Sequence, residues 1–171
     1  MLISREDRQD LMLNTVSCSP LASDGACSLP SAGTGSGWLG LPAFAPGLRV
    51  LLVDDEPMVA ETVGEMLERM GLQVKVTRSG MEALEWFVQQ REGVDLVILD
   101  MIMPRMGGAE VFRRLRMIAP GVRVVLSSGY SLFGEAQQVM DEGAAGFLQK
   151  PYGMKALHQA LCAVLPLGCG A

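Results

Sequence analysis

Four apolar runs of this chain end on side chains that could do chemistry together. Asp54 and Asp55 follow RVLLV, Asp100 follows DLVIL, Ser127 follows VRVVL, and Lys150 lies just beyond GFL. If these runs are neighbouring strands, three carboxylates, a hydroxyl and an amine meet at one sheet edge. Carboxylates about 5 Å apart repel by about 3 kcal/mol per pair at an effective dielectric near 20, so positive charge must compensate. Lys150 balances one charge. The excess of hard oxygen donors suits a divalent cation that keeps several waters, which in a cell is magnesium. A carboxylate held against such a cation can attack phosphorus, because the metal screens repulsion between an anionic nucleophile and an anionic donor. Lys150 and the Ser127 hydroxyl could then hold the oxygens of the group in transfer.

Taken singly, each residue has a plainer reading. An Asp behind a strand is most often a helix cap or turn residue, and a Ser there is usually a turn former. The chemical reading rests on four strand ends agreeing at once.

The elements that must position these groups alternate in period. From Leu48 onward, apolar runs of strand length alternate five times with stretches of helical spacing, the pattern of an α/β domain with a parallel sheet. The first run, RVLLV, spans residues 49–53. Its helix has Pro57 in the first turn, Val59, Val63, Met66, Leu67 and Met70 on one face, and Gly71 placed to end it. The second strand is LQVKVT from Leu72, and its helix opens on the capping-box spacing Ser79-Gly80-Met81-Glu82. The third strand ends at Asp100, and the next helix, through Val111, Phe112, Leu115 and Ile118, stops at Pro120. The fourth strand is expected over residues 122–126. Its helix carries Leu132, Ala136, Val139 and Met140 and ends at Gly143. GFL from Gly146 leads to Lys150-Pro151 and a last helix with Met154, Leu157, Leu161, Val164 and Leu165 inward. Five right-handed βα units make a flavodoxin-like, doubly wound, five-stranded parallel sheet of order 2-1-3-4-5 with five helices, in which ligands bind beyond the carboxyl ends of the strands.

Composition bounds the function classes. The 171 residues, 49% hydrophobic and 19% charged, fit one soluble domain with a proper core. A net charge of -5 gives no basic footprint for nucleic acid, and Arg113, Arg114 and Arg116 read as a solvated helix face. Cys18, Cys27, Cys162 and Cys169 form no CxxC pair, so free thiols in a reducing cytoplasm are expected. The start MLISREDRQD lacks the pattern of a secretory signal, and no run approaches the roughly 18 apolar residues of a membrane span. Residues 1–47 read as a low-complexity, flexible linker or tail: between Leu11 and Leu48 the one charged residue is Asp24, and Gly, Ser, Ala and Pro dominate. Trp38, Leu39, Leu41 and Phe44 are apolar enough to dock weakly. The glycine-rich GTGSG at 33–37 reads as linker rather than as a nucleotide loop. Met101, Met103 and Met106 read as loop packing. The sole histidine, His158, reads as a solvated helix position rather than a phosphohistidine.

The stretch 48–165 closely resembles the receiver domain of bacterial two-component response regulators. The motifs that carry the resemblance are VLLVDDEP (50–57), LVILDMIMPRMGG (96–108), VVLSSGY (124–130) and GAAGFLQKP (143–151), in the family's order. The resemblance implies a receiver over residues 48–168 with Asp100 as phosphoacceptor. Asp55 and the backbone carbonyl of Ile102 would bind magnesium, with Asp54 assisting through water, and Ser127 and Lys150 would contact the phosphoryl group. It further implies a switch in which the Ser127 hydroxyl moves towards the phosphate while the aromatic at Phe147 swings inward, and a cis peptide at Lys150-Pro151. Two departures stand out. Phe147 occupies a position often held by Tyr, and Ile102 and Gly129 replace polar residues able to orient water, so slow self-dephosphorylation is expected.

The implied partners are a histidine kinase or histidine phosphotransfer protein as donor and a downstream protein reached by contact, with no nucleic acid and no membrane. The chain would be a cytoplasmic signalling module that catalyses its own phosphorylation and dephosphorylation alone. SSGY and the preceding linker look similar to receivers at the carboxyl ends of hybrid sensor kinases, and a free-standing regulator is equally compatible. Two other functions compete. A haloacid-dehalogenase-like phosphatase uses the same residue types but needs a DxD spacing that VDDEP lacks, and a non-phosphorylated receiver-like scaffold is opposed by intact Asp100 and Lys150.

Overall fold

The computed structural model describes residues 41–90, 93–131 and 134–168, all within the compact unit Gly35–Ala171. The GTGSG run, Trp38, Leu39, Leu132, Cys18, Cys27 and Cys169 lie outside the described residues. Ten elements alternate: β1 Arg49–Val53, α1 Pro57–Arg69, β2 Gln73–Thr77, α2 Gly80–Gln90, β3 Leu96–Asp100, α3 Gly108–Ile118, β4 Val124–Ser128, α4 Glu135–Asp141, β5 Gly146–Gln149 and α5 Met154–Cys162. The five strands form one sheet of order β2-β1-β3-β4-β5, as the βα alternation implied, with every pairing parallel.

A parallel sheet covered by helices on both faces buries its central strands completely. β3 and β4 are buried throughout, which is why they read as unbroken apolar runs. Side chains alternate between two cores. On one face Leu51, Val53, Val97, Leu99, Val124 and Leu126 pack with α2, α3 and α4 residues such as Phe87, Phe112 and Val139. On the other, Val50, Leu52, Ile98, Val125 and Leu148 pack with Val63 and Leu67 of α1 and Leu157 and Leu161 of α5.

Local chemistry explains the element ends. α1 stops where Gly71 takes φ +85° and the Leu72 amide reaches back to the Leu67 carbonyl, the left-handed closure that glycine adopts without strain. Before α2, Ser79 Oγ accepts from the Glu82 amide and the Glu82 carboxylate accepts from the Arg78 amide, so the predicted box forms with its return bond one residue early. Arg113 and Arg114 are exposed as expected, paired with Glu142 and Glu110.

The structure differs from the sequence reading at three places. β4 begins and ends two residues later than expected, because Ala119 to Val122 close a turn behind α3 and Ser127 and Ser128 still pair with Leu148 and Gln149. Packing on the α1/α5 face begins before Leu48, so the docking open to Phe44 is realised and residues 43–45 are not free linker: Phe44 is buried, bridges antiparallel to Leu167, and is flanked by bonds from Ala45 to Pro166 and from Gly168 to Ala43. Third, His158 is not solvated. It is buried because the incoming strap covers it, with Nε2 2.8 Å from the Pro42 carbonyl oxygen, Nδ1 3.4 Å from Cys162 Sγ, and its ring 5.0 Å from that of Phe44.

Candidate functional site

The carboxyl ends of β1 and β3 and the loop behind β5 converge. Asp54, Asp55 and Asp100 each offer a carboxylate oxygen within 4.8 Å of the others. Asp54, nearly inaccessible, accepts from the Glu56 amide through Oδ1 at 3.1 Å and from Lys150 Nζ through Oδ2 at 2.6 Å. Its own amide is anchored to the Thr77 carbonyl on β2. Lys150 Nζ also lies 3.2 Å from Asp100 Oδ2, while Asp100 Oδ1 accepts from the Ile102 amide at 3.3 Å. The sequence-based gathering of three carboxylates and a lysine is therefore present.

The electrostatics follow from this packing. Burial holds the Asp100 carboxyl above its usual value; the Lys150 charge pulls it down, and Asp54 pushes it up again. For Lys150 burial works against the ammonium, but the hydrogen bond to Asp54 and the charges of Asp100 and Asp54 outweigh it, leaving its pKa raised. One partly buried cation among three carboxylates leaves the cluster short of positive charge. Hard oxygen donors in excess at this spacing are what a magnesium ion takes, so the residues present fit the cation implied by the acidic cluster.

The loop from Met101 to Gly107 must turn tightly to clear the site. Met101, Met103 and Met106 are buried in the core beneath it, as packing rather than ligands. Arg105 takes φ +68°, a strained value for a residue with a side chain. Gly108 lies so close to the end of β3 that a Cβ there would collide with the Asp100 carbonyl oxygen and stand 2.7 Å from Met101 Cα. Lys150-Pro151 is cis.

The two serines at the end of β4 face opposite ways. Strand alternation turns Ser127 towards the α1/α5 core, where its Oγ is 3.2 Å from Tyr152 Oη. Ser128 turns the other way: its Oγ accepts from the Tyr130 amide at 3.1 Å, and it lines a small cavity of about 170 Å³ with Met101, Ile102 and Ala136. Phe147, half-buried, packs on that same side. The sequence points to Ser127, and the structure sets Tyr152 against it and Ser128 on the opposite face. The alternation of β4, once its true end was known, would have separated the two hydroxyls.

Ile102 is exposed beside Asp100 and Gly129 is open to solvent. Gly129, Lys150, Pro151 and Tyr152 also border an apolar groove of about 560 Å³ along Met58, Val59 and Met66 of α1. His158 meets Pro42, Cys162 and Phe44, and none of its described bonds reaches the acidic cluster. Among the described residues, no helix is long and apolar enough to cross a membrane.

Comparison with known proteins agrees with this geometry. The family model described as the response regulator receiver domain matches residues 50–162. The transcriptional regulatory protein GlrR of Escherichia coli K12 is 36% identical over 112 residues, covering 66% of this chain and 25% of that protein. The sensor kinase CckA of Brucella abortus is 36% identical over 108 residues, covering 63% of this chain and 11% of its own length. The chain thus spans a quarter or less of these two relatives. The crystal structure of a response regulator receiver domain protein from Clostridium thermocellum superposes with a TM-score of 0.65 at 30% identity, covering 68% of this chain and 94% of that one. Five parallel strands in this order, an acidic cluster at their carboxyl ends and a matching family model over most of the described residues make the chain a member of the response regulator receiver domain family.

Proposed function

We propose that Asp100 is the phosphoacceptor of this receiver and that a histidine kinase or histidine phosphotransfer protein is its donor. The observation that carries the reading is the position of Lys150, whose ammonium bridges Asp54 and Asp100 at 2.6 and 3.2 Å. An Asp100 oxygen would attack the phosphorus of a phosphohistidine, the P–N bond would break with its electrons returning to the imidazole, and an acyl phosphate would form. Bound magnesium would screen the charge on the incoming phosphoryl oxygens. Asp55 and Asp100 would hold the cation directly, with the Ile102 backbone carbonyl as a third donor. Asp54 already spends both carboxylate oxygens inside the protein, which suits assistance through water. Lys150 would follow the charge onto the phosphoryl oxygens.

For the switch we favour Ser128 over Ser127. Ser128 faces the cavity beside Met101 and Ile102 and shares its side of the sheet with Phe147, so a hydroxyl drawn to the phosphoryl group would vacate space next to that ring. Ser127 is engaged by Tyr152 on the opposite face. Output would then pass by contact to a protein that recognises the moved β4/β5 surface in the cytoplasm, whether the receiver acts alone or within a hybrid kinase.

Incubation with acetyl phosphate and magnesium tests the reading by intact mass. One added phosphoryl group, absent in Asp100→Asn, is the expected result. Multiple-turnover release of phosphate from small substrates would point to a phosphatase instead, and no gain at all to a scaffold.

A further inference from the structure

Ser127 is a junction. Its Cα stands in register with Asp100, its carbonyl accepts from the amide of Met101 at 3.0 Å, and its side chain reaches Tyr152 Oη at 3.2 Å. One residue, almost inaccessible to solvent, thereby touches the strand end that carries Asp100 and the loop that carries Lys150. That loop is tied to β4 at two points: the Lys150 amide donates to the Ser128 carbonyl at 2.7 Å, and two residues on, the Tyr152 hydroxyl meets Ser127. Between these ties the Lys150 side chain extends to the carboxylates. A buried hydroxyl needs a partner, and Tyr152 is the one that Ser127 Oγ has among the described residues.

We infer that Tyr152 is a positioning residue that acts through Ser127 to hold the Lys150 loop against β4, so that the ammonium is aimed at Asp100 before the phosphoryl group arrives. This inference rests on the receiver reading of the site. A phenylalanine at Tyr152 would keep the ring and its packing but leave Ser127 Oγ buried without its partner, and of the two ties between loop and β4 the Lys150 amide would remain. An alanine at Ser127 would strand the phenol in the same way. Removing both polar atoms together would leave an apolar contact with nothing unsatisfied, which costs less than either single loss.

The test is the maximal rate of phosphorylation of the full chain by acetyl phosphate, at saturating magnesium, with melting temperature recorded for each variant. Tyr152→Phe and Ser127→Ala should each slow it about 5-fold, the equivalent of one ordinary hydrogen bond. The double variant should be no slower than the slower single, Ser127→Thr should stay close to wild type, and half-saturating magnesium should not move, because the metal-binding carboxylates are intact. A merely structural role would lower the melting temperature and leave the rate alone. Wild-type speed in Tyr152→Phe, or losses that multiply in the double variant, overturns the inference. If the wild-type chain accepts no phosphoryl group, the receiver reading fails separately. The positioning claim is then judged by the NMR signal of Lys150 Cε in the resting protein, which must shift in Tyr152→Phe, and an unmoved signal overturns it.

Discussion

Lys150 Nζ lies 2.6 Å from Asp54 Oδ2, although ninety-six residues separate the two in the chain. Because the same ammonium also faces Asp100, it holds in one place the positive charge that a buried acidic cluster requires. Replacing it by an apolar chain of similar length separates its two tasks. Lys150→Met should slow phosphorylation of Asp100 by about 100-fold, the scale of losing one preorganised charge donor, while magnesium binds more tightly because a competing cation has gone. Acetyl phosphate kinetics and titration calorimetry read the two effects, which should have opposite signs.

Burial raises the Asp100 pKa above its unfolded value. The folded state therefore binds this proton more readily than the unfolded chain does, and the carboxylate costs stability once pH rises through the folded pKa. Asp100→Asn should raise the melting temperature by a few degrees at pH 7 without magnesium, and the gain should fade as pH falls below the raised pKa. Thermal melts across that range check the sign. A variant less stable than wild type at neutral pH would contradict it.

Ser128 and Phe147 lie on one side of the sheet. Ser128→Ala should take up the phosphoryl group more slowly, and the ring resonances of Phe147 should no longer move on phosphorylation. Ser127→Ala should leave that movement in place. Movement lost in Ser127→Ala instead would return the switch to the first serine.

Ile102, exposed and apolar next to Asp100, offers no side-chain group to orient an attacking water. The acyl phosphate should persist for minutes or longer. Ile102→Asn should shorten its life several-fold by supplying an amide near the phosphorus. Decay within seconds in the wild-type chain, followed by mass, would refute this.

Phe44 is buried, its ring 5.0 Å from that of His158 on α5 with the two planes tilted by 47°. Phe44→Ala should cost about 3 kcal/mol in urea unfolding, the ordinary price of emptying an aromatic site. Phosphorylation by acetyl phosphate should survive, because the strap's described bonds go to His158 and to residues 166–168 and not to the acidic cluster.

Much of this protein was legible from one sequence. Strand and helix periods specify the order of the sheet, since buried parallel strands must be apolar throughout and amphipathic helices must face them. The same periods put Asp54, Asp55, Asp100 and Lys150 at one edge, because a parallel sheet delivers every strand's carboxyl end to the same side. Tertiary structure decided what depends on a side chain's direction or on a distant neighbour. Ser127 and Ser128 are equivalent in composition, and one residue of strand register sends them to opposite cores. His158 looked solvated on its helix because the segment that buries it, with the Pro42 carbonyl and Phe44, lies more than a hundred residues away. Burial of a polar group is a property of what arrives to cover it, and no local pattern around His158 carries that information.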